Sequence, residues 1–225
     1  MQFFHHYAIR RYTAAILDTF NDMHIVRFKD DGTVDRDVTL PITFATKQKA
    51  FEMTSDDFSK FREQKYNVLP RISLSFDGLS KSPERETNKL NKIMKFNDDG
   101  KTMTYTYNSV SYSFEFTIYI LTDSFTELTM LIEQIVPMFN PTYSIMIKDM
   151  DFLDEYRSVP LRLNDITIDL DMDLGMDDDI RFCNATLSLS IDANLYPPIK
   201  DGKIVNHVIT NLYDDISEIT PKGEL

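Results

Sequence analysis

Between Asp169 and Asp179 the sequence reads Asp-Leu-Asp-Met-Asp-Leu-Gly-Met-Asp-Asp-Asp, its densest run of hard oxygen ligands. Carboxylates spaced this way can hold calcium in a helix-loop-helix site. Such a loop needs glycine at its sixth position for the sharp turn and a bidentate Glu at its twelfth. Counted from Asp169, those positions hold Leu174 and Ile180. The run therefore reads as a strand edge entering an acidic, solvated turn. A loose hard-cation site, or a metal-dependent enzyme working through the Asp169–Asp179 carboxylates, stands as an alternative. His5 and His6 are adjacent, and on a helix they point about 100° apart, which does not suit one ion. They read as the solvated start of a helix. His24 and His207 have no partner at useful spacing. Cys183 is the single cysteine, so neither an internal disulfide nor a Cys/His zinc cluster can be built. No GxSxG, HExxH or phosphate-cradling glycine loop is present, and glycine totals only 6. No catalytic, cofactor-binding or metal-ligating residue is assigned, and a structural or binding role without a cofactor is expected.

Composition narrows the partners. The chain has 225 residues, 24 Lys plus Arg against 36 Asp plus Glu, and a formal net charge of −12. Gripping nucleic-acid phosphates or an anionic membrane surface needs the opposite balance. The first twenty residues carry Arg10, Arg11 and Asp18, so they do not read as a secretory signal. No apolar run is long enough to cross a bilayer. A soluble product of a reducing, intracellular compartment is expected.

The elements that must position any site follow from periodicity. Ile9, Tyr12, Ile16 and Phe20 share one helical face. His24–Phe28 reads as a strand, Asp30-Asp31-Gly32 as a hairpin turn, and Val38–Phe44 as one half-buried strand with Pro41 marking a sheet edge. Weak helical patterns cover 47–53 and 55–65. A strand is expected after Pro70 through Phe76, followed by an exposed loop from Gly78 to Asn91, within an irregular span 78–101. Met103, Tyr105 and Tyr107 alternate, as do Val110, Tyr112, Phe114, Phe116, Ile118 and Ile120; Asn108-Ser109 between them reads as the turn of a hairpin. Ser124 and Glu127 have capping-box spacing ahead of a helix with Leu128, Leu131, Ile132 and Ile135 on one face, ended by Pro137 and Pro141. Strands follow at Tyr143–Ile147, Val159–Leu170 and Cys183–Leu195. The last of these alternates apolar and polar residues throughout, with Cys183 on the apolar face as a small core residue, until Tyr196-Pro197-Pro198 stops it. The expected fold is α+β: a mainly antiparallel twisted sheet with flanking helices in a single domain over residues 1–199, and an acidic surface arm over 200–225.

Five runs occur in one order: Arg10-Arg11-Tyr12, Leu40-Pro-Ile-Thr-Phe-Ala-Thr-Lys47, Leu69-Pro-Arg-Ile-Ser-Leu74, Glu133-Gln-Ile-Val-Pro-Met-Phe-Asn-Pro141 and Leu195-Tyr-Pro-Pro198. Together, from about Tyr7 to Ile199, they resemble the tail sheath stabiliser and completion proteins of contractile-tailed bacteriophages, also called tail terminators. The resemblance implies a homo-hexameric ring at the head-proximal end of a virion tail, assembled in the host cytoplasm. Its implied partners are the tail sheath protein, the tail tube or tube terminator protein, and a neck or head-completion protein. DNA would pass through without specific binding, no membrane would be involved and no reaction would be catalysed. Another ring-forming neck or tail component is the nearest alternative. Within this frame the residues expected at subunit or partner interfaces are Arg10, Arg11, Pro41, Lys47, Arg71, Tyr196, Pro197 and Pro198, the arginines through intersubunit ion pairs. Tyr12, Ile42, Ile72 and Pro137 are expected to build the fold instead. A negative ring, six times −12, suits a DNA passage because it would repel the phosphates.

Overall fold

The structure is a computed structural model that describes residues 3–29, 31–40, 42–46, 69–98, 101–172 and 182–204. Its elements are α1 (Ala8–Thr19), β1 (Met23–Phe28), β2 (Val34–Leu40), β3 (Ile42–Phe44), β4 (Arg71–Lys81), β5 (Lys92–Phe96), β6 (Thr102–Tyr107), β7 (Val110–Thr122), α2 (Phe125–Ile135), β8 (Tyr143–Ile147), β9 (Arg157–Met172), β10 (Phe182–Leu195) and β11 (Lys200–Lys203). The main sheet has six strands in the order β3-β4-β7-β10-β9-β8. It is mixed: β3 runs parallel to β4, and the remaining neighbours are antiparallel. A β1–β2 hairpin and a three-stranded sheet, β11-β6-β5, complete the architecture. The α+β expectation holds, and the expected mainly antiparallel sheet is matched in part, since the parallel edge strand β3 makes it mixed.

Strict alternation explains the central strands. Phe114, Phe116, Ile118 and Ile120 of β7 and Ala185, Leu187, Leu189, Ile191 and Ala193 of β10 are buried on one face. Both helices join them in one apolar cluster, α1 through Tyr12 and Ile16 with Phe20 just past its end, and α2 through Leu128, Leu131 and Ile135. Ile9, assigned to the same stripe, is 41% exposed, because it lies in the first turn beyond the reach of the sheet. In β9 the apolar positions change phase between Leu163 and Ile166. A β-bulge supplies the extra residue: Leu163 pairs with Leu189 but Asp165 with Ser188, leaving Asn164 between them.

Several expectations are corrected. Asn108-Ser109 does not turn a hairpin, since β6 pairs with β5 and β11 while β7 pairs with β4 and β10. Alternation identifies a strand's faces and says nothing of its partner. Val38–Phe44 is two strands, β2 in the hairpin and β3 at the edge of the main sheet. Gly78–Lys81 extends β4, and Lys92–Phe96 is a strand, so the expected loop contracts to a stretch around a single 3-10 turn at Pro83–Arg85. His5 and His6 precede α1 rather than opening it. Ser124 does cap α2, accepting from the Thr126 N–H at 3.3 Å, but Glu127 does not complete a capping box: its Oε1 accepts from Arg27 Nε at 2.7 Å. Pro41, the helical patterns within 47–65 and Asp173–Asp179 lie outside the described residues, as does the expected arm beyond Ile204. The arm's first residues, Lys200–Lys203, form β11 against β6.

Candidate functional site

The most connected polar site joins the two ends of the described chain. Tyr12, on the buried face of α1, points its hydroxyl at Asp149, just past β8, and donates to Oδ1 at 2.8 Å. Arg157, the first residue of β9, donates from Nε to Asp149 Oδ2 at 2.7 Å and from Nη2 to the Tyr12 oxygen at 2.8 Å. The Asn194 backbone N–H, near the end of β10, also donates to the Tyr12 oxygen. Tyr196 reaches Asp149 Oδ2 from the far side at 3.5 Å. Asp149 is 9% exposed, so this carboxylate sits in a low-dielectric pocket that its partners must satisfy.

Arg11, next along α1, caps the same turn from outside. Its Nη1 donates to the carbonyls of Lys148 and Asp149 at 3.0 and 3.1 Å, and its Nη2 meets Asp151 Oδ2 at 2.5 Å. Beyond β10, the Pro197 carbonyl accepts from Thr106 Oγ1 at 3.1 Å and lies 3.0 Å from His6 Nε2. The segment before α1, the turn after β8, the Tyr-Pro-Pro stop and the small sheet are thus tied at one place.

Burial, then the nearby Asp149 carboxylate, raises the Tyr12 hydroxyl well above the ordinary tyrosine range. The same two causes raise Tyr196. For Arg157, burial alone would weaken the cation, but the hydrogen bond and charge of Asp149 outweigh it and hold the guanidinium more firmly protonated. Tyrosines raised in the folded state favour folding fully below the unfolded tyrosine value, about 10, and that contribution fades as pH rises past it. Thermal melts across an alkaline series are therefore expected to show stability falling from about pH 10 upward. A Tyr12→Phe/Tyr196→Phe variant is expected to lose part of that slope.

A second polar tie lies on the opposite face of the sheet. Arg162 grips Asp192 with two bonds of 2.9 Å, and Arg85 meets the same carboxylate at 3.3 Å while donating to the Tyr112 carbonyl at 2.7 Å. Burial would raise Asp192, but the Arg162 hydrogen bond and the two guanidinium charges hold it below the usual carboxylate range. Arg85 thereby pins the 3-10 turn to β10.

Of the residues expected at interfaces, Arg11, Tyr196 and Pro197 come together here, and Arg11 and Tyr196 spend their donors within the chain. Arg10 is exposed on α1, and Pro198 follows the tie. Arg71 opens β4 opposite Leu121, at the far end of β7 from Val110, about 36 Å along the strand. Pro41 and Lys47 lie outside the described residues. Tyr12 and Ile72 are buried in the core as expected. Asp149 and Arg157, the centre of the tie, carry no sequence signal, being single polar residues outside any periodic stripe.

Among the described residues no cluster of His, Cys, Asp or Glu could hold a metal ion, and no helix is long and apolar enough to cross a membrane. The fold and its sites define a scaffold in which buried polar groups bind chain segments to each other. The family model for the T4-like virus Myoviridae tail sheath stabiliser matches residues 3–224, and the chain belongs to that family. It is also 24% identical over 230 residues to the tail completion protein gp15 of Enterobacteria phage T4, covering 99% of this chain and 82% of that protein. The resemblance carried by the five runs is thereby confirmed.

Proposed function

We propose that this tail sheath stabiliser works as a ring of six identical copies at the head-proximal end of a contractile tail. The ring rests on the tube terminator and the last sheath ring and presents its other face to the neck. It ends polymerisation and holds the sheath extended until contraction, with no reaction catalysed. The observation that carries this reading is the family match over nearly the whole chain.

Two physical features support it. The net charge of −12 per copy gives a ring whose field repels DNA, so the genome can slide through without sticking. The buried ties stiffen the joints between α1, the sheet and the Tyr-Pro-Pro segment, which suits a part that must resist a strained sheath.

Negative-stain imaging of the purified chain is expected to show closed six-membered rings. Tails assembled without the protein are expected to have sheaths of uncontrolled length or premature contraction. A chain that stays solitary in all conditions and never joins sheath or tube components would overturn the reading.

A further inference from the structure

The small sheet turns one face toward the body of the molecule and one away from it. Thr106 is buried and donates to the Pro197 carbonyl at 3.1 Å, so its neighbours Tyr105 and Tyr107 point the other way. Register puts Lys92, Met94 and Phe96 of β5 on this outer face with Tyr107, Tyr105 and Met103 of β6, and sets Lys200 and Gly202 of β11 beside Tyr105 and Met103. Met94 is 49% and Phe96 64% exposed. Gly202 extends the apolar floor. A Cβ there would come within 3.2 Å of the Met103 methyl and 3.3 Å of the Tyr105 ring, so glycine leaves room for both side chains to lie across β11.

The row Phe96, Met103 and Gly202 is uncharged. Two cations stand toward the other end of the face. Lys92 Nζ lies 4.7 Å from the Tyr105 ring centre and 5.6 Å from that of Tyr107, and Lys200 Nζ lies 5.7 Å from the Tyr107 ring centre. An apolar and aromatic face of this kind, with charge at one end, is a surface built to be covered.

The chain carries a fitting cover in its own sequence. Ile204 donates its N–H to the Lys101 carbonyl at 3.0 Å, which takes the chain one residue past β11, just beyond the uncharged row. Residues 205–225 follow, with Asp214, Asp215, Glu218 and Glu224 against Lys222. Within them Val205, Ile209, Leu212, Ile216 and Ile219 recur at spacings of four, three, four and three, the pattern of one helical face. The acids Asp214, Asp215 and Glu218 all come after Leu212.

We propose that residues 205–219 lay their apolar stripe across the outer face of β5, β6 and β11 of the same molecule, with Asp214, Asp215 and Glu218 over Lys92 and Lys200. This contact lies within one copy and does not depend on the ring reading above. A chain that turns back after Ile204 runs from the uncharged row toward the two lysines. Its apolar first half then meets Phe96 and Met103, and its acids arrive where the cations stand. Lengths agree, since residues 208–219 as a helix rise about 18 Å and the five residues of β5 span about 17 Å. The same molecule is the favoured host because the segment starts at the sheet it covers, and so short a tether gives an effective concentration on the order of millimolar. Nucleic acid is the poorer occupant, since exposed Met94 and Phe96 offer nothing to phosphates and the acidic segment is tethered beside the face. Once covered, the face is open only to a partner that displaces the segment.

The test is carbodiimide cross-linking, which joins a lysine amine to a carboxylate in contact with it, on the purified full chain. Mass spectrometry on a mixture of nitrogen-15-labelled and unlabelled protein separates links within a chain from links between chains. Links from Lys92 or Lys200 to Asp214, Asp215 or Glu218 are expected, each within a single chain. Leu212→Asp/Ile216→Asp is expected to abolish them and to raise the acetylation rates of Lys92 and Lys200 about threefold or more, as a locally closed contact opens. Met94→Asp/Phe96→Asp, made from the sheet side at exposed positions, is expected to do the same with unchanged melting. Links found only between labelled and unlabelled chains would put the segment on a neighbouring copy and overturn the contact. Absent links, or acetylation rates unmoved in both variants, also overturn it. Protection of Lys92 and Lys200 by a DNA oligonucleotide in the full chain would assign the face to nucleic acid instead.

Discussion

Asp149→Ala is expected to lower the unfolding free energy by about 3 kcal/mol, the low end of the cost of breaking a buried ion pair from one side. The Asp149 side chain is 8% exposed and accepts from both Tyr12 and Arg157. Removing it takes the carboxylate from the half-buried Arg157 cation and the acceptor from the Tyr12 hydroxyl. Arg157 keeps 34% of its side chain exposed and can recover some water, which is why the low end applies. Asp149→Asn preserves the shape and one acceptor, so its loss is expected to be smaller, about 1–2 kcal/mol. Urea titration checks both: the midpoint should fall while the slope stays constant, because the surface exposed on unfolding is unchanged. A loss under about 0.5 kcal/mol for the alanine variant would place Asp149 with ordinary surface charges, and the tie between α1, β9 and β10 would have no energetic content.

That tie also shows where the sequence stops being informative. β7 and β10 were legible because alternation is strict over their length, and each apolar residue of the stripe has only one face to occupy. The bulge at Asn164 was not read, because Val159–Leu170 was expected as one strand although Leu163 and Ile166 are out of phase. The partner of β6 was not, since Met103, Tyr105 and Tyr107 alternate equally well beside β7 or beside β5 and β11. Nor was the break between β2 and β3, which a single alternating run conceals. At the site, the resemblance drew attention to Arg11 and Tyr196, and both lie at the tie. Tyr12 and Asp149 are 137 residues apart in sequence and meet only because the sheet brings α1 over the end of β8. Asp192 sat in the polar half of a strand pattern, where its role as the shared acceptor of Arg85 and Arg162 had no local signature.

Phe114→Ala is expected to have the largest effect of any single truncation, about 4 kcal/mol. Phe114 has 0% exposure at the centre of the main sheet, paired with Ile191 on one side and Leu79 on the other. Its ring meets Tyr12 edge-on at 5.3 Å and Phe76 at 5.7 Å. The strands on both sides are fixed by their ladders, so the space left by the ring cannot close by backbone movement, and the cavity cost adds to the lost transfer energy. Tyr12 is the same residue that anchors the Asp149 tie, so the truncation also loosens the helix that presents it. The two variants should therefore be less than additive, with a coupling of about 0.5–1 kcal/mol in a double-mutant cycle. Independent losses that simply sum would mean that Tyr12 is held by the tie alone and takes no support from the aromatic packing.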